Sequence, residues 1–474
     1  MSFQVTRPGF SAFGAALLLL GSIASGATDE VRWKCSVEAK PWVDQPNLSA
    51  VVHDDKPFGI FVPVDSARKY QEIEGWGGCF NERGWRAMEV LSDADRLAVL
   101  KSMFDPQEGL KLNLCRSPIG SSDYAISLYS LDETPGDYEM KKFSIARDRE
   151  KLIPYIKAAM NLRSDLKVWG VPWSPPAWMK DSNALAGGNI KDDDRTMDAL
   201  ALYFVRYVQA YQAEGIPLYM VMPQNEPCYS TKYSSCVWTG KQLCDFVGKH
   251  LGPAFKNSHL NCEIYLGTLA RSDAGQWDYP STVAPLLNDP ATSAFVTGVG
   301  CQWSGDQVMR DTHFMHPEKK LMQTENECGE KNTNDWAFAI HQFDRARTYF
   351  EAGANSSMIW NIVLDETGLS TADWAQCSPI VVDQKSKSVR YTPYYYCYKH
   401  FSYFVKPGAH RIAMGGGFGT KIAFENPDGE VIVIMENTAE QALGVSICAD
   451  GRTIKPTLPP RSFNTFSFPL AAGI

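Results

Sequence analysis

Two glutamates stand in settings suited to acid–base and nucleophilic chemistry. Glu226 lies in Pro223-Gln224-Asn225-Glu226-Pro227, directly after the apolar run Leu218 to Met222. Glu325 lies in Leu321-Met322-Gln323-Thr324-Glu325-Asn326-Glu327-Cys328-Gly329, again just past a short apolar run. They are roughly 100 residues apart, which is about three units of a barrel built from ~30–40 residues per βα repeat. At the carboxyl ends of strands four and seven, two carboxyl groups can meet across the barrel mouth ~5 Å apart. At that separation one attacks an anomeric carbon, while the other protonates the leaving oxygen and later activates water. The acid must keep its proton while the nucleophile stays ionised, and repulsion from an ionised Glu325 would raise the pKa of Glu226. Two other readings compete. A lone Glu at a strand-to-helix turn commonly serves as a charge at a helix N-terminus. Glu327 rivals Glu325, because positions i and i+2 share one face of a strand. Thr324-Glu325 immediately after the apolar run favours Glu325.

The elements that would position these groups alternate along most of the chain. Short apolar runs at Leu110–Cys115, Leu166–Val171, Leu218–Met222, Glu263–Gly267 and Ser356–Trp360 read as strands. Between them, Met197–Gln212 and Trp336–Phe350 carry helical periodicity, with Leu200, Phe204, Tyr207, Val208 and Tyr211 on one stripe. This alternation predicts parallel βαβ units, closed as a (β/α)8 TIM barrel or open as a doubly wound sheet. Beyond Pro407 the pattern becomes all-β. Thr420–Glu425 and Glu430–Glu436 flank Asn426-Pro427-Asp428-Gly429, a hairpin turn, and Leu443–Cys448 and Ser462–Phe468 add strands. The expected layout is a β-sandwich side domain from residues 28–72 and 404–474, attached to a catalytic barrel at 73–403.

Residues 1–27 read as an export signal. Arg7 precedes the apolar stretch Phe10 to Ile23, and the small residues Ser25-Gly26-Ala27 resemble a cleavage site. The apolar run is shorter than the ~20 residues a membrane span needs, so a secreted, extracellular or periplasmic protein without a membrane span is expected. Lys and Arg number 46 against 54 Asp and Glu, a net charge of −8. That balance disfavours nucleic acid and acidic polymers as main ligands and suits a neutral polymer. Thirteen Trp and 20 Tyr supply flat rings for the C–H faces of sugars, although most such rings are expected in the core. Twelve Cys suit an oxidising compartment. A disulfide among Cys228, Cys236 and Cys244 is plausible from their even spacing. Sparse His and the lack of any Cys-x-x-Cys pair argue against zinc.

Several segments together are similar to glycoside hydrolase family 30: Gly75-Trp76-Gly77-Gly78, Val171-Pro172-Trp173-Ser174-Pro175-Pro176-Ala177-Trp178-Met179-Lys180, Asn225-Glu226-Pro227, Thr324-Glu325 and Trp360-Asn361-Ile362-Val363-Leu364-Asp365. The likeness runs from about Ile73 to Arg411 and implies a barrel with an attached sandwich, no metal or cofactor, and hydrolysis with retention. It assigns Glu226 as acid/base, Glu325 as nucleophile and Asn225 to the sugar 2-hydroxyl. Asp123 would hold glycone hydroxyls. Trp173, Trp303 and Trp360 would bind substrate, and Arg116 would support the carboxylates. A salt bridge that merely stiffens the barrel accounts for Arg116 equally well. Glucosylceramidases of this family carry His-Trp-Tyr on strand six, whereas this chain has Gln302-Trp303-Ser304. The absent Tyr leaves the orientation of Glu325 to another donor, for which Gln302 is the candidate. Met322–Gly329, Asp365–Leu369 and Phe404–Gly408 look most like the glucanase branch, so an endo-β-1,6-glucanase acting as a monomer on neutral β-glucan is expected. The alternatives are glucosylceramidase, exo-β-glucosidase or xylanase activity and, in a different class, a carbohydrate-binding protein without catalysis.

Overall fold

The computed structural model describes residues 30–52, 56, 58–270, 277–329 and 331–470. The expected export signal lies outside them. Eight parallel strands close into a barrel: Gly75–Cys79, Leu114–Pro118, Lys167–Val171, Leu218–Val221, Glu263–Leu269, Gly298–Cys301, Lys320–Gln323 and Ser356–Asn361. Closure between the first and eighth strands, with Ser357 opposite Trp76 and Met358 opposite Gly77, excludes the open doubly wound sheet. Large side chains fill the interior, among them Leu114, Trp169, Met220, Tyr265, Met322 and Met358. The glycines of the first strand make room for them. A Cβ on Gly77 would sit 1.5 Å from the Leu114 carbonyl oxygen, so any side chain there would push the first two strands apart. Outside the barrel, the helix Asp194–Ala213 buries Leu200, Phe204, Tyr207, Val208 and Tyr211 against the strands. Its cap, Asp193, accepts the Thr196 N–H at 3.0 Å.

The run Leu110–Asn113 is not strand. Gly109 and Lys111 both adopt positive φ, and the Leu110 and Leu112 N–H groups bond to Ser102 and Met103 at the end of the preceding helix. Leu110 and Leu112 are buried, so an apolar run that caps a helix imitates one that forms a strand. The second strand begins only at Leu114.

The β-sandwich draws on both ends of the described chain. Glu30–Val37 pairs antiparallel with Ser462–Phe468, which pairs with Val431–Asn437, and the sheet continues through Lys421–Glu425 and His410–Met414 to Ile60–Glu72. Val31, Val62, Ile412, Val433, Ile447 and Phe466 form its separate core. Alternate positions face the barrel. Among them is Glu436, which is 1% exposed and, among the described residues, has no hydrogen-bond partner for either carboxylate oxygen. Burial, reinforced by the charge of Asp344, pushes its carboxyl up to about 8. A carboxyl raised in the folded state contributes fully below its unfolded pKa, and that contribution is lost as pH climbs toward 8. Glu436→Gln is therefore expected to match the natural chain near pH 4 and exceed it by ~2 kcal/mol or more at pH 8. Urea denaturation at both pH values checks this.

All twelve cysteines remain thiols, so the bridge expected among Cys228, Cys236 and Cys244 is not formed. Their sulfurs lie 3.7, 3.9 and 3.0 Å from the carbonyl oxygens of Ala270, Val237 and Thr282, each in a different setting. Even spacing along the chain did not translate into proximity.

Candidate active site

The carboxyl ends of the barrel strands open into a cavity of about 120 Å³. Asp123, Trp173, Asn225, Glu226, Trp303, Glu325 and Trp360 all line it, and Arg116 and Gln302 lie directly behind. Glu226 follows the fourth strand and Glu325 the seventh. Glu226 has φ 43 and Trp303 φ 52, a left-handed backbone that is uncommon for such residues and that clusters at functional sites. Bonds on either side hold the Glu226 turn. Its N–H donates to Thr268 Oγ1 at 3.3 Å, its carbonyl accepts the Tyr229 N–H at 2.9 Å, and the Asn225 N–H reaches the Pro172 carbonyl at 2.8 Å.

Glu325 is clamped from three directions. Arg116 Nη1 donates to Oε2 at 2.7 Å, Gln302 Nε2 donates to the same oxygen at 3.2 Å, and Trp303 Nε1 donates to Oε1 at 3.0 Å. Gln302 and Trp303 follow the sixth strand and Arg116 lies on the second, so the carboxylate is fixed by the scaffold itself. Two neighbours thus supply donors where the strand-six Tyr is absent. Trp303, expected only as a substrate contact, also commits its indole N–H to Glu325. Glu327 behaves differently: His341 Nε2 lies 2.6 Å from its carboxylate, and it is not among the cavity-lining residues.

Arg116 is wholly buried, with its guanidinium 4.3 Å from the Trp173 ring and 5.3 Å from both Trp169 and Trp360. Its Nη2 donates to Asn225 Oδ1 at 2.5 Å, and Thr268 Oγ1 and Gln302 Nε2 donate to that same oxygen at 3.0 and 3.3 Å. With the carbonyl oxygen taken three times over, the Asn225 amide is oriented, and its NH2 remains as the donor for a ligand in the cavity. Trp173 and Trp360 stack with centroids 5.1 Å apart.

Burial raises two of the acids, Glu325 and Asp123. Burial pushes the Glu325 carboxyl up, and the Arg116 charge, with the hydrogen bonds of Trp303, Arg116 and Gln302, pulls it back. Asp123 is raised well above the carboxylate range by burial and by the charges of Glu325 and Glu226. A protonated Asp123 both donates and accepts, which suits a sugar hydroxyl. Trp303→Phe keeps the ring and removes one donor to a charged oxygen, a loss of ~1.5–3 kcal/mol. The expected result is a ~10–100-fold lower kcat, with the acid limb of the pH–rate profile moved to higher pH. Stopped assays from pH 4 to 8 measure both.

Sequence reasoning missed Tyr229, Thr231 and Tyr233 from the loop after the fourth strand, and Trp374 and Gln376 from the loop after the eighth. The Gln376 amide oxygen accepts from Asn361, which in turn accepts from Asn81. Asn361 stands beside Trp360 in a segment already singled out, but nothing local pointed to a partner 15 residues later. The loop hangs from a three-stranded sheet, Val363–Asp365, Ile380–Val382 and Val389–Tyr391. Among the described residues, no group of His, Cys, Asp and Glu is placed to hold a metal ion, and no helix is long and apolar enough to cross a membrane.

A closed (β/α)8 barrel with a β-sandwich, bearing paired carboxyl groups in an aromatic cavity at its strand ends, defines the class of O-glycoside hydrolases. The chain belongs to glycosyl hydrolase family 30: residues 73–405 match the family's TIM-barrel domain and residues 408–466 its beta sandwich domain. A Caenorhabditis elegans protein named as a glucosylceramidase is 30% identical over 87% of this chain and 84% of its own. The Endo-1,6-beta-D-glucanase of Neurospora crassa is 26% identical, over 81% of this chain and 82% of its own. The solved structure of the endo-beta1,6-glucanase BT3312 shares the fold with a TM-score of 0.83 and 24% identity, covering 93% of this chain and 100% of that one.

Proposed function

We propose that this glycosidase works by double displacement, with Glu325 attacking the anomeric carbon and Glu226 acting as acid and then base. The observation that carries the reading is the clamp on Glu325. Three donors, Arg116 on the second strand and Gln302 and Trp303 just past the sixth, hold both of its oxygens beside the cavity that Glu226 also lines, the arrangement a nucleophile needs. In the first step a Glu325 oxygen forms a bond to the anomeric carbon as the glycosidic C–O bond breaks, and the Glu226 proton moves to the departing oxygen. In the second, Glu226 takes a proton from water, whose oxygen displaces Glu325. The Asn225 amide donates to the 2-hydroxyl, a bond that strengthens as charge develops. Asp123 holds glycone hydroxyls, and the Trp173–Trp360 pair walls the ring.

The preferred substrate is β-1,6-glucan, supported by the Neurospora relative and by Gln302-Trp303-Ser304 in place of the glucosylceramidase run. One observation favours a second reading. A cavity of about 120 Å³ has room for a single ring, which suits removal of one glucose at a time from an oligosaccharide or a glucolipid. Chromatography of products from pustulan and glucosylceramide tests the choice. Oligosaccharides released from pustulan support endo action, whereas glucose alone, or preferential cleavage of glucosylceramide, rejects it. The reading also places the enzyme outside the cytosol, exported by residues 1–27 and acting as a monomer; N-terminal sequencing and light scattering of the secreted material test both points.

A further inference from the structure

A second cavity, about 470 Å³, lies away from the barrel mouth where the sandwich meets the barrel wall. Its size falls within the ~300–1,000 Å³ of small-ligand sites. Lys101 comes from the helix Asp93–Phe104, Tyr395, Tyr396 and Lys399 from the helix Pro393–Ser402, and Trp42 from the strand Lys40–Ser49. Trp42 has φ 61, a genuine outlier for a bulky residue, and its N–H is tied to Ser36 Oγ at 2.9 Å. Backbone of that kind persists where the surroundings enforce it, often at ligand sites.

The charged lining of this cavity is mainly positive, with exposed Lys101 and half-buried Lys399 against Glu108. The Lys399 ammonium sits 4.3 Å from the Trp42 ring, 5.4 Å from Tyr403 and 5.8 Å from Tyr395. Among the described residues neither it nor the Lys101 ammonium has a carboxylate or carbonyl within hydrogen-bond reach. Two further ammonium groups border the rings but have partners: Lys34, 5.2 Å from the Trp42 ring, pairs with Asp44, and Lys111, 3.6 Å from the Tyr403 ring, donates to the Tyr403 carbonyl at 3.3 Å. Burial and neighbouring cations push both Lys399 and Lys111 down to about 8. Glu108 is the one carboxylate among the described lining residues. The Trp42 and Tyr403 ring faces are occupied by ammonium groups, so stacking a neutral sugar on them is not what the cavity offers.

We propose that this cavity is a second carbohydrate site that takes a sugar bearing a carboxylate, with Lys399 and Lys101 pairing the anion and the rim of Tyr391, Tyr396 and Ser102 contacting the ring. A bare oxyanion would fill only a small part of the volume. The site goes beyond the catalytic reading: it would hold the enzyme on uronate-bearing material while the barrel mouth cleaves a neutral linkage.

Calorimetry of the full chain with tri-galacturonate, set beside inorganic phosphate, tests this. The natural chain should bind the uronide, and Lys101→Gln/Lys399→Gln should bind it about tenfold more weakly or worse, as expected for lost charge-assisted contacts. Lys399→Arg should retain the affinity. Turnover of a small neutral β-glucoside should be equal in all of them, so failure of this site and failure of the catalytic assignment read out separately. No binding by the natural chain, an unchanged affinity in the double variant, or phosphate binding as tightly as the uronide would each overturn the proposal.

Discussion

Glu325→Gln is expected to reduce turnover by about 10⁴-fold or more, the scale of losing a catalytic nucleophile, while the chain keeps its fold and its affinity for sugar. The amide is nearly isosteric with the carboxylate, but it cannot attack an anomeric carbon. The Arg116 and Trp303 donors find one amide oxygen where they had two carboxylate oxygens. Removing the charge also leaves the wholly buried Arg116 guanidinium without its counter-ion, a cost of about 3–5 kcal/mol, so the fold must be measured beside the activity. Circular dichroism, a ligand-binding titration and a burst-free assay separate the outcomes. Wild-type activity in this variant would reject the nucleophile assignment, and loss of sugar binding along with activity would point to a damaged cavity.

Arg116→Met should have the next largest effect, and its size depends on pH. The guanidinium is wholly buried, bonded to Glu325 and Asn225, and stacked among three tryptophans. Breaking a buried pair strands the partner charge at a cost of about 3–5 kcal/mol. Glu325 escapes that cost by binding a proton, so its already raised pKa climbs further and the active, ionised fraction at neutral pH collapses. A carboxyl raised in the folded state loses its stability contribution as pH rises through that pKa. The Met variant should therefore lie closest to the natural chain in stability near pH 4 and furthest from it above pH 7. Activity should fall by about 10³-fold or more at neutral pH, with the acid limb displaced to higher pH. Arg116→Lys should fall between the two, because one ammonium cannot reproduce a two-acceptor fork. An Arg116→Met chain with a full pH–rate profile would make the residue a mere stiffener of the barrel.

Much of this molecule was legible because its reactive groups announce themselves by position. The apolar runs that lead into Asn225-Glu226-Pro227 and Thr324-Glu325 are the fourth and seventh barrel strands, and the helix Asp194–Ala213 shows its buried stripe in the spacing of Leu200, Phe204, Tyr207 and Tyr211. The hairpin turn at Asn426–Gly429 joins strands at the place its residue types require. What stayed hidden depends on contacts between distant segments. The Trp303 N–H on Glu325 and the Gln302 bond to Asn225 depend on three-dimensional approach, and the loops holding Tyr233, Trp374 and Gln376 carry no periodicity to read. Leu110–Asn113 misled because burial at the end of a helix and burial in a strand select the same residue types. The cysteines misled because regular spacing along a chain says little about distance across it.

The most direct test of the central claim is to identify the residue that becomes covalently glycosylated. A slow-turnover 2-deoxy-2-fluoro-β-glucoside with a good leaving group should inactivate the enzyme with one sugar per chain, and mass spectrometry of the digest should place that sugar on Glu325. A label on Glu327 or Glu226, or inactivation without any covalent sugar, would contradict the account.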